Sequence, residues 1–273
     1  MTPKFRFLLG LLLCFSFLTA GAAPPLIRLA TTTSTENSGL LETLLPAFQA
    51  RTGYRVHVIA VGTGKALRMA RDGDVDVVLV HAPKAEKAFV AEGHGEKRYP
   101  VMHNDFVLVG PPTDPAGVRS ATSAADAFRR IAAAQALFVS RGDDSGTHKK
   151  ELSLWQAAAV EPVEPWYREA GQGMGKVLQM ADEMGAYTLT DRGTWLAMKD
   201  HLRLSLLYQG DAGLFNPYHI IPVNPARHPQ VNHAGAMALV KWLTGSEGQR
   251  RIAAFRKEGQ QLFVPDVLPE TQR

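Results

Sequence analysis

Two hydrophobic periods alternate along this chain, and that alternation limits its fold more than any other feature. LIRLA, YRVHVIAV and VDVVLV read as strands. Between them, SGLLETLLPAFQARTG sets Leu40, Leu41, Leu44, Leu45 and Phe48 at helical spacing and stops at Gly53, and GKALRMARDGD gives a second, shorter helix. Strand, helix, strand, helix, strand implies right-handed crossovers and a parallel sheet. HNDFVLVGPPTDP ends in a Pro/Gly break, after which a second set begins. ATSAADAFRRIAAAQ, GTHKKELSLWQAAA, MGKVLQMADEMGA and DRGTWLAMKD read as helices, with ALFVS and AYTLT as strands between them. A late strand, YHIIPVN, and one long helix, HAGAMALVKWLTGSEGQRRIAAFRKEG, follow. A returning strand and helix can complete the first unit. The expected organisation is two α/β lobes joined by two crossings, near Val109–Gly110 and near Phe215–Asn216. Lobe 1 then spans 23–109 plus 216–273, and lobe 2 spans 110–215.

The first residues indicate the compartment. Lys4 and Arg6 precede the apolar run FLLGLLLCFSFL, and Ala20-Gly21-Ala22 has the small-x-small pattern of a cleavage site. Residues 1–22 are therefore expected to be a secretory signal peptide, which places the mature chain in the periplasm. The one cysteine, Cys14, lies inside that run behind Leu13, which is not the small residue a lipid anchor needs. The mature chain must then fold without disulfides in an oxidising compartment. Without Lys4 and Arg6, 28 of the 30 basic residues remain against 26 acidic ones, and this balance argues against a nucleic-acid or membrane-surface partner. The nine histidines are scattered with no H-E-x-x-H, so neither a metal cluster nor a cofactor motif is legible; His148 near Ser145 is the one pairing that would suit an enzyme.

Three loops share one layout, a strand followed by neutral donors and then a helix. TTTST, Thr31 to Thr35, follows LIRLA; capping by Ser34 or Ser38 would explain one or two of its hydroxyls and leave the rest unexplained. VGTGKAL carries Gly62, Thr63 and Gly64, which allow close approach of backbone to a ligand. It is not a phosphate-binding P-loop, since Ile59 and Ala66 stand where that motif needs Gly and Ser/Thr; GQGMGKVL fails in the same way at Ala170 and Val177 and reads as a helix start. SRGDDSGTH brings Arg141, Ser145, Gly146 and Thr147, with Asp143 placed to hold the guanidinium; its bland alternative is a surface turn. Helix starts carry free N–H groups and a partial positive charge. A small anion clamped between lobes would explain all three loops at once.

TTTST, VGTGKAL, DVDVVLVHAP, SRGDDSGTH and YTLTDRGTW, in this order, resemble the periplasmic tungstate-binding proteins of the TupA type over nearly the whole mature chain. The resemblance implies a two-lobe type II periplasmic binding-protein fold with a ligand cleft between the lobes. It implies a monomer that binds tungstate or molybdate as an oxyanion, with no bare metal ion and no cofactor, and that delivers it to an inner-membrane ABC importer permease. Carried onto this sequence, the contacts are Thr31, Thr32, Thr33, Ser34, Thr63, Gly64, Arg141, Ser145, Gly146 and Thr147. Thr190 either caps the following helix or reaches the cleft, and His81 is a wall residue. Phosphate-binding proteins share the Arg141-to-Thr147 pattern, but they resemble one another in a Ser-Asp pair after the third strand. Here His81-Ala82-Pro83 follows VDVVLV, with no acid to accept the proton that phosphate retains. The alternatives are therefore a phosphate or other oxyanion carrier, a sensor or adhesion module on the same fold, and a secreted hydrolase.

Overall fold

The computed structural model describes residues 24–267. The expected signal peptide and Cys14 lie outside the described residues. In chain order the elements are β1 (Leu26–Thr32), α1 (Thr33–Asn37), α2 (Leu40–Thr52), β2 (Arg55–Val61), α3 (Thr63–Asp72), β3 (Val77–Val80), α4 (Pro83–Ala91) and the long β4 (Tyr99–Gly110). They continue as α5 (Ala124–Ala133), β5 (Phe138–Ser140), α6 (Gly146–Ala157), β6 (Tyr167–Glu169), α7 (Met174–Met184), β7 (Thr188–Asp191), α8 (Arg192–Met198), β8 (Ser205–Tyr208) and β9 (Phe215–Pro222). The last are α9 (His233–Leu243), α10 (Ser246–Ala254), β10 (Arg256–Lys257), β11 (Gln260–Gln261) and β12 (Val264–Pro265).

The main sheet runs β12-β4-β9-β3-β1-β2, with β7 and β8 also paired to β4. The βαβ reading holds for its first three strands, since β1 pairs in parallel with both β2 and β3. The sheet as a whole is mixed, because β9 runs antiparallel to β3 and to β4. The apolar stripe of α2 is fully inside: Leu40, Leu41, Leu44 and Phe48 are at most 2% exposed. Each such burial stabilises by ~1.5–3 kcal/mol.

The fold is two-lobed, and β4 is shared. Its residues Tyr99 to Asp105 pair with β9, whereas Phe106 to Val109 pair with β7. β5 and β6 form a small parallel pair, and Val139 N–H donates to Tyr187 O just ahead of β7. An aromatic cluster fills this second half, with the Phe128 and Trp155 rings edge-on at 4.4 Å and Phe138 at 5.2 Å from Trp155.

The expected terminal helix is two helices, α9 and α10, broken at Thr244–Gly245. The break is a backbone packing effect. A Cβ on Gly248 would lie 2.3 Å from Trp242 O, so only glycine lets α10 fold back so tightly on the end of α9. α4 was not anticipated; Pro83 at its first turn and Glu86, which accepts the Ala82 N–H at 2.6 Å, form its start.

Candidate functional site

The TTTST stretch straddles an element boundary. Thr31 and Thr32 end β1, and Thr33 opens α1. Thr31 Oγ1 donates to Leu79 O at 2.8 Å, so its proton is used within the sheet. Thr32, not Ser34 or Ser38, caps α1: its Oγ1 accepts the Thr35 N–H at 3.2 Å. The same oxygen lies 2.6 Å from Thr35 Oγ1 and 3.2 Å from His81 Nε2. Thr33 is exposed and Ser34 is half-buried, and both line a cavity of about 460 Å³ between α1 and the starts of α7 and α8.

α3 starts without a side-chain cap, its preceding residue being Gly62. The N–H groups of its first turn therefore have no intrahelical acceptor. Thr63 is fully buried, and its Oγ1 has no hydrogen-bond partner. A buried hydroxyl left unpaired costs about 1–3 kcal/mol, so its presence calls for an explanation.

The third loop faces these two. Arg141 is 8% exposed and lines the same cavity as Thr33 and Ser34. One end of its guanidinium pairs with Asp143, while its Nε is buried without a partner. Burial works against ionisation of Asp143, but bonds from Ser145 and the Arg141 charge outweigh it and hold the carboxyl below the usual range. Ser145 caps α6 by accepting the His148 N–H at 3.2 Å. Gly146 and Thr147 begin that helix in buried positions.

The loops meet at two backbone positions. A Cβ on Gly146 would come within 2.8 Å of His81 Cε1, and one on Gly64 within 2.9 Å of Asp144 Oδ2. The start of α6 thus lies against His81, whose ring also feels the Arg141 charge, and the start of α3 lies against Asp144 of the same loop. Thr190 is buried, with its hydroxyl turned to Asp191 O at 3.2 Å. Asp191 caps α8, accepting the Thr194 N–H at 2.9 Å and the Thr194 hydroxyl at 2.7 Å. It is a buried acid whose charge reaches His81 and Tyr218. Its two oxygens are both occupied by Thr194.

Sequence reasoning treated GQGMGKVL as a helix start only. Its residues Gln172 to Lys176 line the cavity beside Arg141, and α7, like α3, begins after an uncapped glycine. The shared Gly-x-Gly-Lys spelling with the α3 loop was the available signal. Among the described residues, no group of three or more His, Cys, Asp or Glu could hold a metal ion. Chemically, the site offers N–H and guanidinium donors at helix starts, with the charge of Arg141 inside and that of exposed Lys176 at the rim.

Comparison with known proteins agrees with this chemistry. The profile of the PBP superfamily domain matches residues 19–247. The tungstate-binding protein TupA of Peptoclostridium acidaminophilum is 49% identical over 245 residues, covering 88% of this chain and 86% of that one. The solved structure of the tungstate-binding protein TupA from Desulfovibrio alaskensis G20 is similar at 48% identity and a TM-score of 0.79, covering 89% of this chain and 99% of that one. The crystal structure of the tungstate ABC transporter from Geobacter sulfurreducens is 53% identical with a TM-score of 0.77, covering 84% of this chain and 98% of that one. The chain belongs to the periplasmic-binding-protein superfamily and, within it, to the family of TupA-type ABC-importer substrate-binding proteins.

Proposed function

We propose that this chain is a periplasmic receptor that binds tungstate, or molybdate, between its lobes and hands it to an ABC importer in the inner membrane. It carries out no reaction. One observation supports the reading above others: Thr63 Oγ1 and Arg141 Nε, on loops that face each other, are buried donors with nothing to donate to. Tungstate and molybdate are unprotonated tetrahedral dianions that only accept hydrogen bonds. The contacts we assign are Thr63 and the N–H group of Gly64 in the first lobe, with Thr33 and Ser34 at the cavity wall. Arg141, Ser145, Gly146 and Thr147 act from the second. Thr31 and Thr32 support the loop, since their hydroxyl protons serve other partners. The lobes divide where β4 changes partner, after Asp105, and again at Phe215–Asn216.

Some seven donors at ~1.5–3 kcal/mol each would give roughly 10–20 kcal/mol. Closure and lost freedom subtract several kcal/mol. What remains is compatible with affinity around nanomolar, ~12 kcal/mol. Arg141 offsets one charge of the dianion, and helix starts carry the rest. Because the ligand touches both lobes, it favours the closed state by its differential affinity, and the importer reads that closed shape.

Parallel calorimetric titrations with tungstate, molybdate, sulfate and phosphate at neutral pH test the assignment. Tight binding of tungstate or molybdate with negligible uptake of phosphate is expected. A preference for phosphate would overturn it.

A further inference from the structure

His81 opens the strand-to-helix turn after β3, and no ligand contact accounts for it. It is 4% exposed and stacks on Tyr218 of β9 with ring centroids 4.6 Å apart. Both ring nitrogens are engaged. Nδ1 lies 2.9 Å from Asn216 Oδ1, and Nε2 lies 3.2 Å from Thr32 Oγ1.

Counting protons fixes the tautomer. The Asn216 amide gives its hydrogens to Asn104 Oδ1 at 2.7 Å and to Tyr218 OH at 3.3 Å. Its Oδ1 is then an acceptor, so His81 Nδ1 carries the hydrogen. In the neutral ring Nε2 is bare and takes the Thr32 hydroxyl proton. That leaves Thr32 Oγ1 with lone pairs alone, and these meet the Thr35 N–H, the Thr35 hydroxyl and, at 3.1 Å, the Ser34 hydroxyl. The other end of the chain is the crossing itself. Asn104 and Asn216 are register partners in β4 and β9, next to the last such pair, Asp105 with Phe215.

We propose that His81 is a positioning residue of the oxyanion site: as the Nδ1–H tautomer it sets one direction of hydrogen bonding, donation running from Thr35 in the first loop through Thr32 and the ring to Asn216 and Asn104 at the crossing. This rests on the oxyanion reading above. A charged ring would put a second hydrogen on Nε2, turn the Thr32 hydroxyl into an acceptor and send its proton elsewhere, so the loop would lose its arrangement.

The surroundings oppose that charge. Burial pushes the imidazole below its ordinary value, against the pull of the Asn216 bond. Asp191 at the start of α8 and Glu86 of α4 favour a proton, and Arg141 of the second-lobe loop disfavours it. On β9, Tyr218 covers one face, and on β4, Phe106 lies 6.4 Å away. Gly146 closes the Cε1 edge from the other lobe. Opening removes that cover. The open form therefore takes up a proton more readily than the closed form, and affinity falls as pH falls.

Nitrogen-15 NMR of histidine-labelled wild-type protein reads the tautomer directly, without a variant. The His81 signal is expected as neutral Nδ1–H, still neutral at a pH where exposed histidines are charged; an Nε2–H signal overturns the proposal. Tungstate titrations between about pH 8 and pH 5 then compare wild type with His81→Gln, whose amide oxygen can take the Thr32 proton and does not titrate. Wild-type Kd should rise up to roughly tenfold per pH unit below about 6.5. His81→Gln should bind more weakly at neutral pH and give a flatter profile. Profiles that run parallel overturn the role of His81 alone. Failure of wild type to bind tungstate at neutral pH overturns the oxyanion reading beneath it.

Discussion

Behind the Thr31–Thr35 loop sits a buried histidine, and behind the Arg141–Thr147 loop sits a buried glutamate. Glu151 of α6 accepts the Ser140 hydroxyl at 2.7 Å, the Trp155 indole N–H at 3.1 Å and the Tyr167 hydroxyl at 2.9 Å. Ser140 Oγ in turn accepts the Gly142 N–H at 3.2 Å, which shapes the turn that follows Arg141. The first loop is therefore held by one lone pair on a neutral ring, and the second by a carboxyl with three donors converging on it. The difference matters for where charge is kept. The buried donors of the first-lobe loops are neutral, Lys65 and Arg68 being exposed beside Gly64: the protons of Thr31 and Thr32 go inward, and Thr63 has the free hydroxyl. The second lobe holds the guanidinium, its partner Asp143 and, behind the turn, the buried Glu151. One lobe offers a preformed neutral cradle, and the other brings the charge that closes on it.

The strongest way to break this division is to remove that charge. Arg141→Ala should weaken tungstate binding by roughly 100-fold or more, since a buried charged donor is worth about 3 kcal/mol or more when its partner is left unpaired. Thr63→Val, which deletes a neutral donor of nearly the same shape, should cost roughly tenfold. Calorimetry on the two variants orders the lobes: equal losses would mean that the charge is not concentrated in the second.

The anchors themselves can be compared through pH. Burial raises the Glu151 carboxyl to about 7, above its ordinary value, despite the donors around it. A raised carboxyl binds a proton in the folded state that the unfolded chain has already released. Its contribution is therefore fully present below about pH 4.5 and is lost as pH rises towards 7. His81 has the opposite sign: its pKa is lowered, so its contribution is present above the ordinary imidazole value and fades as pH falls below it. Glu151→Gln keeps acceptors for Trp155 and Tyr167 and cannot ionise. It should raise thermal stability at pH 8 by about 1–3 kcal/mol relative to wild type, with the gain shrinking below pH 6. A gain that is constant across pH would show that packing, not ionisation, separates the two anchors.

Most of the framework was legible in the sequence because it rests on local periodicity. The strands LIRLA, YRVHVIAV and VDVVLV and the helices after them follow from spacing alone. The three donor-rich loops were legible from composition, and the structure brings them close at Gly64 with Asp144 and at Gly146 with His81. What spacing could not show is which way a hydroxyl turns. Thr31 is drawn to Leu79 O and Thr32 to His81, partners some fifty residues away that only the β1–β3 pairing brings near. The same limit hid Asp191, whose capping bonds to Thr194 are local but whose place beside His81 is not. The antiparallel entry of β9 was equally invisible, since a buried strand reads alike in either direction.

The finest comparison is between two glycines at which the lobes touch. Both would place a new methyl group under 3.0 Å from the opposite lobe. At Gly146 the neighbour is the His81 ring, which is pinned at both nitrogens and stacked on Tyr218. At Gly64 the neighbour is the Asp144 carboxylate, on a side chain that is 72% exposed and tethered to Lys149. A pinned ring can yield only if the lobes part, whereas an exposed carboxylate can rotate away. Gly146→Ala should therefore weaken tungstate binding roughly tenfold, about 1.4 kcal/mol, by penalising the closed state. Gly64→Ala should change Kd by about twofold or less, within the range of an exposed substitution. Neither change should lower the melting temperature of the ligand-free protein, because both contacts are released on opening. Equal losses in the two titrations would mean that the contact at His81 is no stiffer than the one at Asp144, and the neutral anchor would then have no special hold on closure.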